Sequence, residues 1–173
     1  MKVRDTVVVQ VAVPSRERVE RYRGLRDRIE GEVGRINGEY GRVGEPAIHY
    51  LNQPFGRAEL AALYQTADVM VVTPLRDGMN LVAKEYIAAQ DPADPGVLVL
   101  SRFAGAAEQL KEALLVNPYD THGTAETVQQ ALQMPLEERR ERHQKLLARI
   151  REQDIHWWRR SFLDALREAA SER

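Results

Sequence analysis

The stretch "DVMVVTPLRDGMNLVAKEYIAAQ" constrains the fold more than any other part of this chain. Val69 to Val72 is an unbroken apolar run without alternation, the pattern of a strand buried on both faces inside a parallel sheet. Pro74 stops it, and from about Asn80 to Ala89 the apolar residues recur at helical spacing. The same switch of period repeats along the chain. Strands are expected at Thr6 to Val13, Ile48 to Leu51, Asp68 to Thr73, Val97 to Leu100 and Leu114 to Val116. Helices are expected from a Ser15 cap to about Arg35, closed by Asn37-Gly38 and Gly41, then at Arg57 to Thr66, Ala104 to Glu112 and Thr124 to Gln133. Pro135 opens a long charged helix, and Trp157 to Ala169 forms another. Such alternation predicts an α/β fold: an open parallel Rossmann-like sheet with helices on both faces. We expect one domain over residues 1–173, with long C-terminal helices from about 135 to 169.

Composition narrows the classes of function. At 173 residues, 43% hydrophobic and 29% charged, the chain has material for an ordinary buried core. A formal net charge of -1 gives no basic excess for nucleic acid or a membrane surface, so neither is expected as a partner. The apolar run in "MKVRDTVVVQVAVPS" is too short and too interrupted to span a bilayer. The absence of cysteine removes disulfides, thiolate metal sites and a cysteine nucleophile, and fits a cytoplasmic location. His49, His122, His143 and His156 have no paired ligand spacing, so no metal site is expected. The alternating arginines and glutamates of 139–151 read as a solvated helix face, and Trp157-Trp158 as a pair packing its helix against the domain.

Ligands of open parallel sheets bind beyond the carboxyl ends of the strands, which is where residues 74–80 fall. The first amides of the following helix, around Met79 to Ala83, carry partial positive charge and suit a phosphate. Gly78 allows close approach and unusual dihedral angles. Each residue also has a purely structural reading. Asp77 is a favoured helix-entry acid, Glu85 a solvated helix residue and Phe55 a core filler after Pro54. Arg16, by contrast, sits where a helix dipole disfavours a cation. No G-x-G-x-x-G follows a strand, which argues against a nicotinamide oxidoreductase.

At "TPLRDGMNLVAKEYIAAQ" the sequence closely resembles the donor-site motif of the trehalose-6-phosphate synthases. "VQVAVPSRERVERY", "GRINGEYG", "HYLNQPF", "ELAALYQTADVMVVTP", "VLVLSRFAGAAEQL", "ALLVNPYD" and "HWWRRSFLDAL" resemble the same family in the same order, across essentially the whole chain. The resemblance implies a retaining glycosyltransferase with two facing Rossmann-like domains (GT-B). Such an enzyme moves glucose from UDP-glucose to glucose 6-phosphate by front-face attack, without metal or cofactor. This chain corresponds to most of the second, donor-binding domain. Asp77 matches the catalytic-site acid that orients the donor glucose. Gly78, Met79, Asn80, Leu81, Val82, Ala83, Lys84 and Glu85 match the segment along the nucleotide, with Glu85 accepting from both ribose hydroxyls. Phe55 matches a position bordering the base, and Arg16 the arginine that grips the acceptor phosphate.

The family's donor domain opens with a further strand and helix whose loop carries two diphosphate-binding cations, and this sequence has no counterpart to them before Thr6. The expectation is therefore a partial domain that works with a missing N-terminal domain or a complementing chain. Its unpaired sheet edge favours homo-oligomers. A non-catalytic nucleotide-sugar-binding or regulatory fragment is the alternative. Assays of glucosyl transfer with and without the family's N-terminal half check this, the expected outcome being negligible turnover by the chain alone and partial recovery with that half.

Overall fold

The computed structural model describes residues 6–14 and 20–171. Five strands and six α-helices alternate along them: β1 (Val8–Val11), α1 (Glu20–Tyr40), β2 (Ile48–Leu51), α2 (Arg57–Thr66), β3 (Val69–Val72), α3 (Leu81–Ala89), β4 (Val97–Ser101), β5 (Leu114–Val116), α4 (Thr121–Leu132), α5 (Leu136–Glu152) and α6 (Ile155–Ser171). Every strand pairing is parallel, as the α/β reading requires. The ladders form two groups, β1-β2 and β3-β4-β5. Contacts likewise divide the chain into two compact units, 1–59 and 60–173.

In the first unit Val8 pairs with Ile48 and Val11 with Leu51. Here α1 departs from expectation, because it runs through Asn37 and Gly38 to Tyr40. Asn37 is not spent on a turn. Its side-chain amide donates to Ile48 O at 3.0 Å and its Oδ1 accepts from Ile48 N at 2.8 Å, so it acts as a one-residue neighbour to the edge of β2. That pair of bonds offsets the weak helix propensity of asparagine. The expected Ser15 cap lies outside the described residues.

The core of the second unit is built on β4. All five of its residues are buried, with β3 on one side and β5 on the other. Alternation along the strand sends Leu98 and Leu100 to one face, where they pack with Tyr86 and Ile87 of α3 and Leu146 of α5. Val97 and Val99 go to the other face, with Val116 and with Ala131 of α4. Helices thus cover both faces of this sheet. The double burial expected of "VMVV" belongs instead to "VLVLS". β3 has β4 as its one ladder partner among the described residues, and its Val71 is 44% exposed.

Three further expectations change. The helix expected at Ala104 to Glu112 is only a short 3-10 turn, Gly105–Glu108, whose first amides donate to the turn that follows β3. The charged α5 is not simply solvated. Arg139 and Arg142 reach the carbonyls of Pro95 and Glu112 at 2.5 and 3.0 Å, and buried His143 meets Ile87 O at 3.0 Å. No residue of α6 is buried; Trp158 stacks on Phe162 of its own helix, with ring centroids 5.4 Å apart. No helix among the described residues is long and apolar enough to cross a membrane.

These packing differences set an order of sensitivity. Leu98→Ala should cost about 2–5 kcal/mol by opening a cavity under α3. Val71→Ala, at a half-open position, should cost less than about 1 kcal/mol. Urea denaturation of both variants checks the ranking, and equal losses would contradict it.

Candidate functional site

The turns that leave β3 and β4 are tied together beyond the sheet. Asp77 forms a parallel bridge with Ala104. Three backbone bonds hold the pair: Asp77 N to Phe103 O at 3.2 Å, Gly105 N to Asp77 O at 2.9 Å and Ala106 N to Met79 O at 2.6 Å. The approach is close enough to demand glycine at 105, where a Cβ would stand 2.2 Å from Gly78 O. The sequence reading had placed the special backbone at Gly78. A Cβ there would meet nothing within 4 Å, and the left-handed conformation falls on Asn80, with φ of 78°.

Asn80 is held in that conformation by its own side chain. Its Oδ1 accepts from Ala83 N at 2.9 Å, capping α3, and its Nδ2 donates to Asp77 Oδ2 at 3.0 Å. Asp77 Oδ1 accepts from Met79 N at 3.0 Å. One asparagine therefore joins the aspartate to the start of the helix, and the stored backbone strain is offset by two bonds. Of the five amides from Met79 to Ala83, the first and last are engaged in this way. Among the described residues those of Asn80, Leu81 and Val82 have no protein acceptor. They lie at the positive end of the α3 dipole.

Glu85 stands one turn further along, exposed, and accepts from the Tyr64 hydroxyl at 3.4 Å. Lys84 is half-buried, and that burial holds its ammonium below the ordinary lysine value. Ala83 is fully buried, whereas Gly78, Met79, Leu81 and Val82 are exposed. The structure thus brings Asp77 through Glu85 together as one continuous rim. Phe55 belongs to the other compact unit, half-buried after β2, and Arg16 lies outside the described residues. Among the described residues no three histidine, aspartate or glutamate side chains cluster to hold a metal. Tyr64, Gly105 and Gln90 were not singled out from sequence. Of these, Gly105 carried a partial signal, a glycine soon after the strand expected at Val97 to Leu100.

Residues 1–168 match glycosyltransferase family 20. The trehalose-6-phosphate synthase of Mycobacterium leprae is 56% identical over 165 residues, covering 95% of this chain and 33% of the relative. That of Enterobacter sp. (strain 638) is 54% identical over 166 residues, covering 96% of this chain and 34% of the relative. Among solved structures, an alpha,alpha-trehalose-phosphate synthase (UDP-forming) from Burkholderia xenovorans in complex with glucose-6-phosphate superposes with a TM-score of 0.89 at 50% identity, over 93% of this chain and 35% of that one. A chain from E. coli bound with UDP-2-fluoro glucose gives 0.88 at 52% identity, over 92% and 36%. This chain spans about a third of the length of the curated relatives it matches.

Substitutions at position 80 separate the strain from the bonds. Asn80→Ala loses the cap and retains the left-handed penalty, for an expected cost of about 1–3 kcal/mol. Asn80→Gly also loses the bonds, but glycine adopts the conformation freely, and the cost should stay below about 1 kcal/mol. Thermal unfolding of the two variants checks the difference. A glycine variant less stable than the alanine one would contradict it.

Proposed function

Because the chain belongs to glycosyltransferase family 20, we propose that it forms part of the donor-binding region of an α,α-trehalose-phosphate synthase. The reaction in this reading moves a glucosyl group from UDP-glucose to glucose 6-phosphate, with retention of configuration and release of UDP, in the cytoplasm. The observation that carries the reading is the order of groups along one rim: an acid at Asp77, three amides at Asn80, Leu81 and Val82 without an acceptor among the described residues, and a second acid at Glu85. A nucleotide sugar has the same order of needs. Its glucose is neutral and rich in hydroxyls, its diphosphate is anionic, and its ribose is again a neutral diol.

In this arrangement Asp77 accepts from glucose hydroxyls with the lone pairs that Met79 N and Asn80 Nδ2 leave over. It orients the sugar and forms no covalent bond to it. The three amides stabilise the charge that grows on the diphosphate as the bond to the anomeric carbon breaks, and they need no reorganisation to do so. The acceptor hydroxyl attacks from the face the diphosphate leaves, and a diphosphate oxygen takes its proton. Glu85 lies beyond the phosphates, about 5.4 Å along the helix for each turn, where its charge meets the ribose instead. The half-buried Lys84 adds a cation beside the same segment.

The two acids should respond differently to substitution. Glu85→Gln should weaken UDP binding by about 1.5–3 kcal/mol, the range for hydrogen bonds to a charged group. Asp77→Asn should spare UDP and weaken UDP-glucose only, since the free nucleotide does not reach that carboxylate. Calorimetric titration of each variant with both ligands, with melting temperature as control, tests the assignment. Unchanged binding of both ligands together with lower melting temperatures would overturn it.

A further inference from the structure

We infer that Tyr64 is a positioning residue, whose hydroxyl aims the Glu85 carboxylate at the ribose diol of the donor. The inference rests on the donor-site reading above and extends it to a side chain outside the rim. Glu85 is exposed on α3, and an exposed glutamate samples several rotamers unless something holds it. The Tyr64 hydroxyl, 3.4 Å from Glu85 Oε2, is the one side-chain donor that meets it among the described residues.

Tyr64 itself is held by two contacts besides the one to Glu85. Its ring meets that of Tyr86 edge-on, with centroids 6.3 Å apart and planes at 89°. Its carbonyl accepts from the side-chain amide of Gln90, which is buried and accepts from Gly96 N at 2.6 Å through its own Oε1. Tyr86 is fully buried and donates to Ala67 O at 2.9 Å. The end of α2 and the length of α3 are therefore locked in register, and the Tyr64 hydroxyl is the polar group this lock presents at Glu85. The phenol is pushed above its ordinary value by burial first, then by the charge and hydrogen bond of Glu85. It stays a donor at neutral pH. A purely packing role would use the ring and leave the hydroxyl without consequence.

Tyr64→Phe removes the hydroxyl and keeps the ring. The chain and its Tyr64→Phe and Glu85→Gln variants are titrated with UDP and with 2′,3′-dideoxy-UDP, which lacks the diol. The parent should prefer UDP, and Glu85→Gln should bring the two affinities close together. Tyr64→Phe should cut the preference about three- to ten-fold while leaving the dideoxy affinity and the melting temperature as in the parent. A Tyr64→Phe variant that keeps the parent's full preference while Glu85→Gln loses it overturns the positioning role and leaves the donor-site reading standing. Equal weakening of both nucleotides, or a lower melting temperature, assigns the hydroxyl to the fold and also overturns it. A parent that does not prefer UDP, or binds neither nucleotide, overturns the donor-site reading, and the positioning role falls with it.

Discussion

Everything in the candidate site depends on the double burial of β4. A strand covered on both faces and paired on both edges cannot shift without exposing apolar surface or breaking a ladder, so the ends of its neighbours are fixed as well. Val72, the last residue of β3, pairs with Leu100, and a few residues later Asp77 bridges Ala104. The parallel register of the sheet is thus carried past the strands into the turns. The segment following β4 is a 3-10 turn, Gly105–Glu108, and its first amides, at Gly105 and Ala106, which a helix leaves without an internal acceptor, donate to Asp77 and Met79.

On this frame the candidate rim is assembled by short-range chemistry. Asn80 adopts a backbone conformation uncommon for a residue other than glycine, and its amide group bonds in two directions, to Asp77 and to Ala83. Two amides of the turn and the helix start are satisfied internally, and three have no acceptor among the described residues. Charge is divided along the same line. The helix dipole is open between the two acids, so an anion is attracted to the middle of the rim and repelled from its ends.

Much of this was legible in the sequence because local signals and the tertiary fold agree. The strand at "VMVV" before Pro74, the helix beginning at about Asn80 and the parallel alternation of elements all follow from period. The errors arose where one residue serves a distant partner. Asn37 reads as a turn former but bonds Ile48, eleven residues on. Gly78 reads as the special glycine, whereas the constraint falls on Gly105, whose neighbour is set by the sheet. Arg139 and Arg142 read as solvated charge, yet they reach loop carbonyls that no spacing rule connects to them. Tyr64 and Glu85 are 21 residues apart on different helices, and only the packing of Tyr64 against Tyr86 brings them together.

The central claim is that the open amides between Asp77 and Glu85 receive the donor diphosphate. Amide hydrogen exchange, followed residue by residue with and without UDP, addresses it most directly. The account predicts that UDP slows exchange at Asn80, Leu81 and Val82, with little change at Met79 and Ala83, whose N–H groups already have acceptors. Protection absent from those three amides at a UDP concentration that saturates the chain would contradict it.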